Sequence, residues 1–291
     1  MKERSFALGL VGWPVAHSLS PLIHRAALEA AGLRGDYQCF AVRPDGHRDQ
    51  ALRVRVSEMR SGRIDGLNVT IPHKSAIVPF LDGLTEPASG VGAVNTLVCD
   101  SGRVLGDNTD VDGFLRDLES HFVLRPGEAL VLGAGGAARA VAYGLARTGW
   151  DVHLANRTLS RALRAAEALS ISSGRAIRAH SLDRRSLEGL IADMTLVVHA
   201  TPAGGEGASE STCWPSGLPL PAEAIVYDLV YRPSETPFLR SARLAGLRTA
   251  GGLGMLVEQA ALSFERWTGT PAPRSAMRAA VGMAEADPEK E

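Results

Sequence analysis

A glycine-rich loop between an apolar strand and a helix is the clearest chemical pattern in the sequence. Residues 129–132 are apolar, and Gly133-Ala134-Gly135-Gly136-Ala137-Ala138 leads from them into an alanine-rich helical run ending near Thr148. In such a loop the first glycine permits a tight turn, the second lets a pyrophosphate approach the backbone, and the third small residue lets strand and helix pack closely. The helix N-terminus offers free N–H groups to the phosphates. The pattern is weak alone, but this context predicts a dinucleotide site.

The residues after the next strand indicate which dinucleotide binds. An NAD site has an acidic residue there, about 20 residues after the first glycine, to hold the ribose hydroxyls. This chain has Asn156-Arg157-Thr158, with Arg161 a step later, and its nearby acid, Asp151, is at the other end of the strand. A guanidinium suits a 2′-phosphate by charge and by fork geometry. We therefore predict NADP(H), the alternative being two solvated surface arginines.

Three other segments are unusually rich in polar side chains. They are Gly12–His24, Asn68–Lys74, and Gly92–Thr96 together with Gly106–Asp110. We expect all three at the carboxyl ends of strands, where open α/β sheets bind ligands. Together they offer hydroxyls, amides, one ammonium and one carboxylate, a set suited to a small polyhydroxy acid.

These segments, in this order, resemble the signature stretches of the shikimate dehydrogenase family. The glycine loop and Asn156-Arg157-Thr158 are similar too, as are Ala200-Thr201-Pro202, residues 227–231 and residues 252–260. The resemblance extends from about Gly9 to Gly269. It implies NADPH-dependent, reversible reduction of 3-dehydroshikimate to shikimate, an oxidoreductase step of chorismate and aromatic amino acid biosynthesis.

The resemblance also implies roles for individual residues. Lys74 and Asp110 would be the catalytic pair. The substrate would be held by Ser18, Ser20, Thr70, Lys74, Asn95, Asp110, Tyr231 and Gln259. The cofactor would be bound by Gly133, Ala134, Gly135, Gly136, Ala137, Asn156, Arg157, Thr158, Arg161, Thr201, Leu229, Gly252 and Met255. Gly252 and Met255 would line the nicotinamide side.

The chemistry of a ketone reduction agrees with the implied catalytic pair. Negative charge grows on the ketone oxygen as hydride reaches its carbon, and a lysine ammonium stabilises that charge and supplies the proton. A neighbouring carboxylate orients the lysine. Taken singly, Lys74 would be a solvated surface lysine and Asp110 a cap of the following helix.

Two residues depart from the family pattern, and several other functions remain open. Arg25 follows the histidine of the first segment where asparagine or glutamine is more usual, and His199 stands where asparagine commonly precedes Ala-Thr. The open alternatives are a quinate/shikimate dehydrogenase, often NAD-dependent, an amino-shikimate homologue, and a non-catalytic NADP-binding regulator. The basic residues near Arg157 argue against the NAD form, and the catalytic pair argues against the regulator.

The elements that must position these residues alternate between strands and helices, which predicts a mostly parallel α/β fold. We expect two domains with a cleft between them. Residues 1–110, completed by 251–291, would form the substrate-binding catalytic domain, and 111–250 a Rossmann-type NADP-binding domain. Residues 204–221 suggest a mobile loop, and residues 287–291 a frayed end.

Composition fits an ordinary globular protein. The 291 residues are 45% hydrophobic and 22% charged, and 31 Lys and Arg against 32 Asp and Glu give a net charge of −1. This balance gives no reason to expect nucleic acid or membrane partners. Cys39, Cys99 and Cys213 lack metal or redox spacing, so we expect packing thiols and no metal. No signal peptide or membrane span is evident, which predicts a cytoplasmic protein. Monomer and homodimer are both open.

Overall fold

The computed structural model describes residues 4–205 and 212–283. Contacts between residues divide the chain into two compact units, Met1–Thr109 with Val257–Glu291, and Asp110–Leu256. The division thus falls at Thr109/Asp110 and Leu256/Val257, whereas the expected boundaries were 110/111 and 250/251. Part of the expected 204–221 loop, residues 206–211, and the expected frayed end at 287–291 lie outside the described residues.

The first unit is built on a six-stranded mixed sheet with strand order β2-β1-β3-β5-β6-β4. Strands β1, β2 and β3 are parallel, whereas β5 runs antiparallel to both β3 and β6. The strands are β1 Ser5–Gly12, β2 Arg34–Ala41, β3 Gly66–Val69, β4 Gly83–Leu84, β5 Thr96–Asp100 and β6 Arg103–Asp107. The helices are α1 Ser20–Ala30, α2 Arg48–Arg60 and α3 Glu86–Val91.

The sequence patterns of the first unit predict most of its local structure. Ser101-Gly102, between two apolar runs, predicts a hairpin, and these two residues join β5 to β6 with positive φ values of 51° and 78°. Gly32 follows α1 with φ 65°, as the C-terminal glycine of a helix does. Ser20-Pro21 predicts a helix capped by the serine, but the cap is wrong, because Ser20 is the first residue of α1, Leu19 is the N-cap, and no side chain caps the helix. Pro21 supplies the preorganised first turn instead.

The core of the first unit lies between its sheet and helix α2. Leu67 and Leu97 from the sheet and Leu52 and Met59 from the helix are all fully buried in one cluster. Burial of each such side chain contributes about 2 kcal/mol. Residues at the start of β1 alternate between exposed and buried. The rest of the strand is continuously buried up to its carboxyl end, where the chain enters the polar loops.

The second unit contains a six-stranded sheet whose neighbouring strands are all parallel, in the order β12-β11-β10-β7-β8-β9. The strands are β7 Glu128–Leu132, β8 Asp151–Asn156, β9 Ile177–Ser181, β10 Met194–His199, β11 Ile225–Asp228 and β12 Thr249–Gly251. The helices are α4 Asp110–His121, α5 Gly136–Arg147, α6 Leu159–Ser173, α7 Arg184–Leu187 and α8 Pro237–Leu244. Parallel strands connected by helices are the expected dinucleotide-binding architecture.

Strands β7, β10 and β11 are rich in apolar residues and almost wholly buried, as strands covered on both faces require. Leu130, Val197 and Val226 pack in one core cluster with Phe238 and Leu239 of α8. Two further helices complete the described elements. Helix α9, Leu253–Thr268, begins in residues of the second unit and continues into residues of the first, and α10 spans Arg274–Ala279.

Candidate active site

Main-chain hydrogen bonds join the three polar segments of the first unit. The Trp13 N–H donates to the carbonyl of Ile71 at 2.9 Å, which ties the loop after β1 to the loop after β3. The Val94 N–H donates to the Lys74 carbonyl at 2.8 Å, which ties that second loop to the segment before β5. The three segments therefore lie side by side at one edge of the sheet, as expected from their positions in the sequence.

The third segment reaches this edge in a way that the sequence did not predict. We expected it at the carboxyl end of a strand, but Asn95 directly precedes β5 and so stands at an amino end. Because β5 is antiparallel to β3, its amino end lies beside the carboxyl end of β3. Asp107, at the carboxyl end of β6, pairs with Thr96 and completes the edge.

Asn95 is the centre of a buried hydrogen-bond network in the first unit. Its Nδ2 donates to Thr109 Oγ1 at 2.9 Å and to Gln259 Oε1 at 3.3 Å, and its Oδ1 accepts from the Thr109 N–H at 2.8 Å. Its side chain is almost completely buried. Two of the predicted substrate residues, Asn95 and Gln259, are thus brought into contact although they are 164 positions apart in the chain.

Below this network lies a second row of polar residues that sequence reasoning missed. Asn68 Nδ2 donates to the Asn95 carbonyl at 3.2 Å and to Ser263 Oγ at 3.0 Å, while its Oδ1 accepts from the Tyr37 hydroxyl at 2.8 Å. Thr96 Oγ1 lies 2.8 Å from Ser263 Oγ. Asn68 sits between apolar residues in a fully buried strand, and that polar interruption is the signal that marks it.

The other predicted substrate residues of the first unit lie in the adjoining loops. Ser18 is half-buried and its Oγ accepts from the Ser20 N–H at 3.2 Å, while Ser20 is buried. Thr70 is half-buried, and a Cβ on Gly12 would stand 2.2 Å from its Cγ2, so position 12 requires glycine. Lys74 is half-buried, with its main chain fixed to Val94.

Asp110 and Tyr231 belong to the second unit. Asp110 is only 5% exposed, and because it is the first residue of α4 it does not precede the helix as a cap would. Its negative charge in the first turn is favoured by the helix dipole. Tyr231 is half-buried and follows β11.

The glycine loop of the second unit has the predicted form. Gly133 has φ 123°, which permits the tight turn after β7, and a Cβ there would stand 3.0 Å from the Ala200 carbonyl oxygen. Gly135 is different, because its φ of −80° is allowed for any residue and a Cβ there would meet no atom within 4 Å. Neither backbone strain nor packing requires a glycine at 135, and the space at this position is open to the close approach of a ligand. Ala138 is fully buried, as the third small position requires.

The predicted adenosine end carries two exposed arginines at the start of α6. Arg157 precedes this helix, and Arg161 lies in its first turn, which contains no acidic residue. Asn156 Nδ2 donates to the Thr158 carbonyl at 3.0 Å and so closes the turn. Cations at a helix N-terminus oppose its dipole, so this arrangement suits an anion bound between them.

The predicted nicotinamide side is assembled from the ends of β10, β11 and β12. The Leu229 N–H donates to the His199 carbonyl at 2.9 Å, and a Cβ on Gly252 would stand 2.2 Å from the Leu229 carbonyl oxygen. Thr201 Cγ2 lies 3.3 Å from the Cβ position of Gly133. Met255 is buried in the first turn of α9. Thr201, Leu229 and Gly252 are therefore brought to the edge that carries the glycine loop.

His199 and Arg25, the two departures from the family pattern, both have defined partners. His199 is fully buried, with Nδ1 at 2.8 Å from Asp228 Oδ1. Desolvation by burial lowers its pKa, but hydrogen bonds to Asp228 and Cys213 outweigh burial and raise the pKa to about 9. Arg25 is bound at the surface to Asp36, with Nε 2.9 Å from Oδ1, and to the Tyr37 carbonyl.

Two histidines of the polar segments, His73 and His24, are buried and have structural contacts. His73 is buried with Nε2 at 2.7 Å from the Val42 carbonyl, so it points into the core beside Lys74. His24 is buried against the ring of Tyr37 in a stacked arrangement, 4.4 Å between centroids. In the described part of the chain no group of three His, Cys, Asp or Glu could hold a metal ion. None of the helices described is both long and apolar enough to cross a bilayer.

The second unit has a parallel sheet with a glycine loop suited to a dinucleotide, and the first unit has an edge of buried amides and hydroxyls suited to a small polar molecule. These features define the class of protein as a dinucleotide-dependent dehydrogenase of small polar molecules. Family models for the shikimate dehydrogenase substrate binding domain and the shikimate 5′-dehydrogenase C-terminal domain match residues 10–97 and 252–281. A shikimate dehydrogenase (NADP(+)) of Methanopyrus kandleri is 44% identical over 277 residues, 94% of each chain. The chain belongs to the shikimate dehydrogenase family.

Solved structures agree with this assignment. Shikimate 5-dehydrogenase of Thermus thermophilus, in complex with NADP(H) and shikimate, is 40% identical with a TM-score of 0.82, over 94% of this chain and 98% of that one. Quinate dehydrogenase of Corynebacterium glutamicum, in complex with NAD, is 34% identical with a TM-score of 0.86, over 95% of this chain and 98% of that one.

Proposed function

We propose that this chain is an NADP-dependent shikimate dehydrogenase, which reversibly reduces 3-dehydroshikimate to shikimate in the route to chorismate and the aromatic amino acids. The observation that carries the proposal is the 44% identity with an NADP-dependent family member over 94% of the chain. The edge of buried amides and hydroxyls in the first unit supports it, because a polyhydroxy acid needs many fixed hydrogen-bond partners.

Lys74 and Asp110 are the catalytic residues in this proposal. The Lys74 ammonium holds a proton toward the substrate oxygen and stabilises the negative charge that grows there during reduction. Asp110 accepts a hydrogen bond from the reacting hydroxyl in the oxidation direction. The main-chain bond from Val94 to the Lys74 carbonyl and the helical start at Asp110 support fixed positions for both residues.

The proposed substrate-binding residues together offer hydrogen-bond partners for the carboxylate and the hydroxyls of the substrate. Ser18 and Ser20 offer hydroxyls on the loop after β1, and Thr70 offers one after β3. Asn95 offers an amide whose orientation is fixed by Thr109, and Gln259 offers an amide whose Oε1 accepts from Asn95 Nδ2. The proposed set is Ser18, Ser20, Thr70, Lys74, Asn95, Asp110, Tyr231 and Gln259.

The second unit has the features that NADP(H) requires. When bound, the nicotinamide supplies the hydride. Gly133–Ala137 and the amides at the start of α5 hold the pyrophosphate, and the open space at Gly135 accommodates its approach. Arg157 and Arg161, with Asn156 and Thr158, hold the 2′-phosphate. The nicotinamide end is lined by Thr201, Leu229, Gly252 and Met255.

The test is a spectrophotometric assay of the full chain with shikimate and NADP, in which the absorbance of the reduced nicotinamide is followed. We expect turnover with this pair, and much lower kcat/KM when quinate replaces shikimate or NAD replaces NADP. Tight NADPH binding without turnover of either substrate would overturn the proposal and would favour a non-catalytic NADP-binding protein.

The likeness to the quinate dehydrogenase of Corynebacterium glutamicum favours one second candidate, a quinate/shikimate dehydrogenase. A higher kcat/KM with quinate in the same assay would select it. Arg157, with no acidic residue in the first turn of α6, speaks for the NADP-dependent shikimate enzyme. We further propose a cytoplasmic enzyme, either monomeric or homodimeric, that uses a small-molecule substrate without nucleic acid or membrane partners. Light scattering at working concentration distinguishes the two oligomeric states.

A further inference from the structure

A row of three side chains, buried at His199 and Asp228 and half-buried at Thr201, crosses the ends of β10 and β11. Asp228 Oδ1 lies 2.8 Å from His199 Nδ1, and His199 Nε2 lies 2.6 Å from Thr201 Oγ1. Parallel pairing of the strands places His199 opposite Asp228 in register. Asp228 is further fixed by the Thr236 hydroxyl, which donates to its Oδ2 at 2.6 Å. The row therefore has a rigid, charged end at Asp228 and ends at the hydroxyl of Thr201.

The groups that face His199 favour its charged form. Asp228 lies beside Nδ1, and Cys213 also raises the pKa of the imidazole. From α8, the ring of Phe238 meets the imidazole edge-on at 5.5 Å between centroids and carries no charge. Burial lowers the pKa of His199, but these partners raise it to about 9, so the imidazole is cationic at neutral pH.

A cationic imidazole fixes the direction of the hydrogen bond to Thr201. Both of its ring nitrogens carry hydrogens, so Nδ1 donates to Asp228 and Nε2 donates to Thr201 Oγ1. The Ala203 N–H also donates to Thr201 Oγ1, at 3.3 Å. A hydroxyl oxygen has two lone pairs, and both are then occupied. The Thr201 hydroxyl hydrogen is left to donate.

The position of Thr201 shows which side of the second unit this hydroxyl serves. Its Cγ2 lies 3.3 Å from the Cβ position of Gly133, the first residue of the glycine loop, and the neighbouring Ala200 carbonyl lies 3.0 Å from the same point. We propose that His199 is a positioning residue that fixes the Thr201 hydroxyl as a hydrogen-bond donor to an oxygen of bound NADP(H). This inference rests on the proposed function.

In the same geometry, a change of pH reverses the direction of the hydrogen bond between His199 Nε2 and the Thr201 hydroxyl. When His199 loses a proton, Nδ1–H continues to donate to the Asp228 carboxylate, so Nε2 becomes an acceptor. The Thr201 hydroxyl then donates to Nε2 and is withdrawn from the dinucleotide. Binding of NADPH should therefore weaken as the pH rises through about 9, the pKa of His199.

The experiment measures the dissociation constant of NADPH by its fluorescence on binding, at intervals from pH 7.5 to 10. For the unsubstituted chain we expect a rise of about three- to tenfold across this range, the effect of one hydrogen bond. His199→Asn, which does not titrate, should give a flat profile. Thr201→Val should also give a flat profile, with weak binding throughout, whereas Thr201→Ser should retain the pH dependence.

Cys213→Ser is the control for the thiol, whose interaction with His199 also raises the pKa of the imidazole. A profile that disappears in Cys213→Ser but persists in Thr201→Val would overturn the inference, and so would a flat profile in the unsubstituted chain. If His199→Asn fails to fold, the Thr201 pair still decides the matter. Failure to bind NADPH at pH 7.5 would instead overturn the proposed function, so the two failures are distinguishable.

Discussion

The side chain of Asn95 is held at both ends by Thr109, the residue directly before Asp110. Asn95 Nδ2 donates to Thr109 Oγ1 at 2.9 Å, and Thr109 N–H donates to Asn95 Oδ1 at 2.8 Å. The amide can thus adopt only one of its two orientations. The same pair of bonds therefore fixes the amide of Asn95, a proposed substrate-binding residue, and the residue that directly precedes Asp110 in the chain.

Asn95→Ala should weaken both the fold and substrate binding. The substitution leaves the Thr109 N–H and hydroxyl and the Gln259 amide without their buried partner, and we expect a loss of about 2–3 kcal/mol in the free energy of unfolding. The KM for shikimate should rise at least about tenfold. Urea unfolding and initial rates measure the two effects. Thr109→Ser is the matched control, because it keeps both bonds to Asn95. An unchanged KM in Asn95→Ala would contradict its role in substrate binding.

Lys74→Ala should lower kcat at least about a hundredfold while the KM for shikimate changes little, because the contact is made chiefly in the transition state. Steady-state kinetics in the oxidation direction measure this. NADPH binding to the variant, followed by fluorescence, controls for the fold of the second unit. Near-normal turnover by Lys74→Ala would remove the lysine from the proposed mechanism.

Arg157→Ala should raise the KM for NADPH by roughly ten- to a hundredfold, the effect of a lost charged hydrogen bond, and change the KM for NADH little. Arg175→Ala is the matched control, because it removes the same charge beyond the other end of α6, where Arg175 is exposed and paired with Asp151. Equal effects of Arg157→Ala on both cofactors would contradict a 2′-phosphate contact.

Gly135→Ala and Gly133→Ala form a pair that separates ligand approach from folding. A methyl group at 135 meets no protein atom within 4 Å at an ordinary φ, so we expect unchanged or slightly raised thermal stability but NADPH binding weakened at least about tenfold. At 133 the φ of 123° and the Ala200 carbonyl oppose a side chain, so stability itself should fall. Normal NADPH binding by Gly135→Ala would show that no ligand approaches there.

His24 should make stability depend on pH. Burial lowers its pKa to about 3 from an ordinary value of 6.5, so the unfolded chain binds a proton over this interval that the folded chain does not. Its contribution is fully present above pH 6.5 and is lost as the pH falls toward 3. Between pH 7 and pH 5 the loss is about 2 kcal/mol.

The measurement is urea unfolding at several pH values for the unsubstituted chain and for His24→Phe, which keeps an aromatic ring against Tyr37. The difference in stability between the two proteins should change by the stated amount across the interval. A constant difference would show that His24 does not titrate with folding.

Local patterns predicted the elements that carry the glycine loop and the hairpin at Ser101-Gly102, because turns and helix starts depend on nearby residues. They did not predict α6, β9, α8 or β12. Helix α6 carries alanines and arginines without a strong apolar stripe, and β12 has only three residues, too few for a period to be read. These elements are specified by pairing and packing against distant strands.

The polar networks were also beyond local patterns. Asn68 and Ser263 are 195 residues apart, and His199 and Asp228 are 29 apart, so their contacts follow from strand order and helix placement. In the sequence, Asn68 stands out only as an amide within a buried strand, and His199 only as a histidine at the end of a strand. What such residues contact depends on the tertiary fold.

Peptide groups join the loop after β1 to the loop after β3, and they join that second loop to the segment before β5, where the Ser75 hydroxyl also donates to the Gly92 carbonyl. Exchanging a serine or threonine on such a frame alters the chemistry presented to a ligand but leaves the scaffold in place. One backbone can therefore serve relatives that act on different polyols. Selectivity in this protein should accordingly be redesigned one side chain at a time, with little need to rebuild the loops.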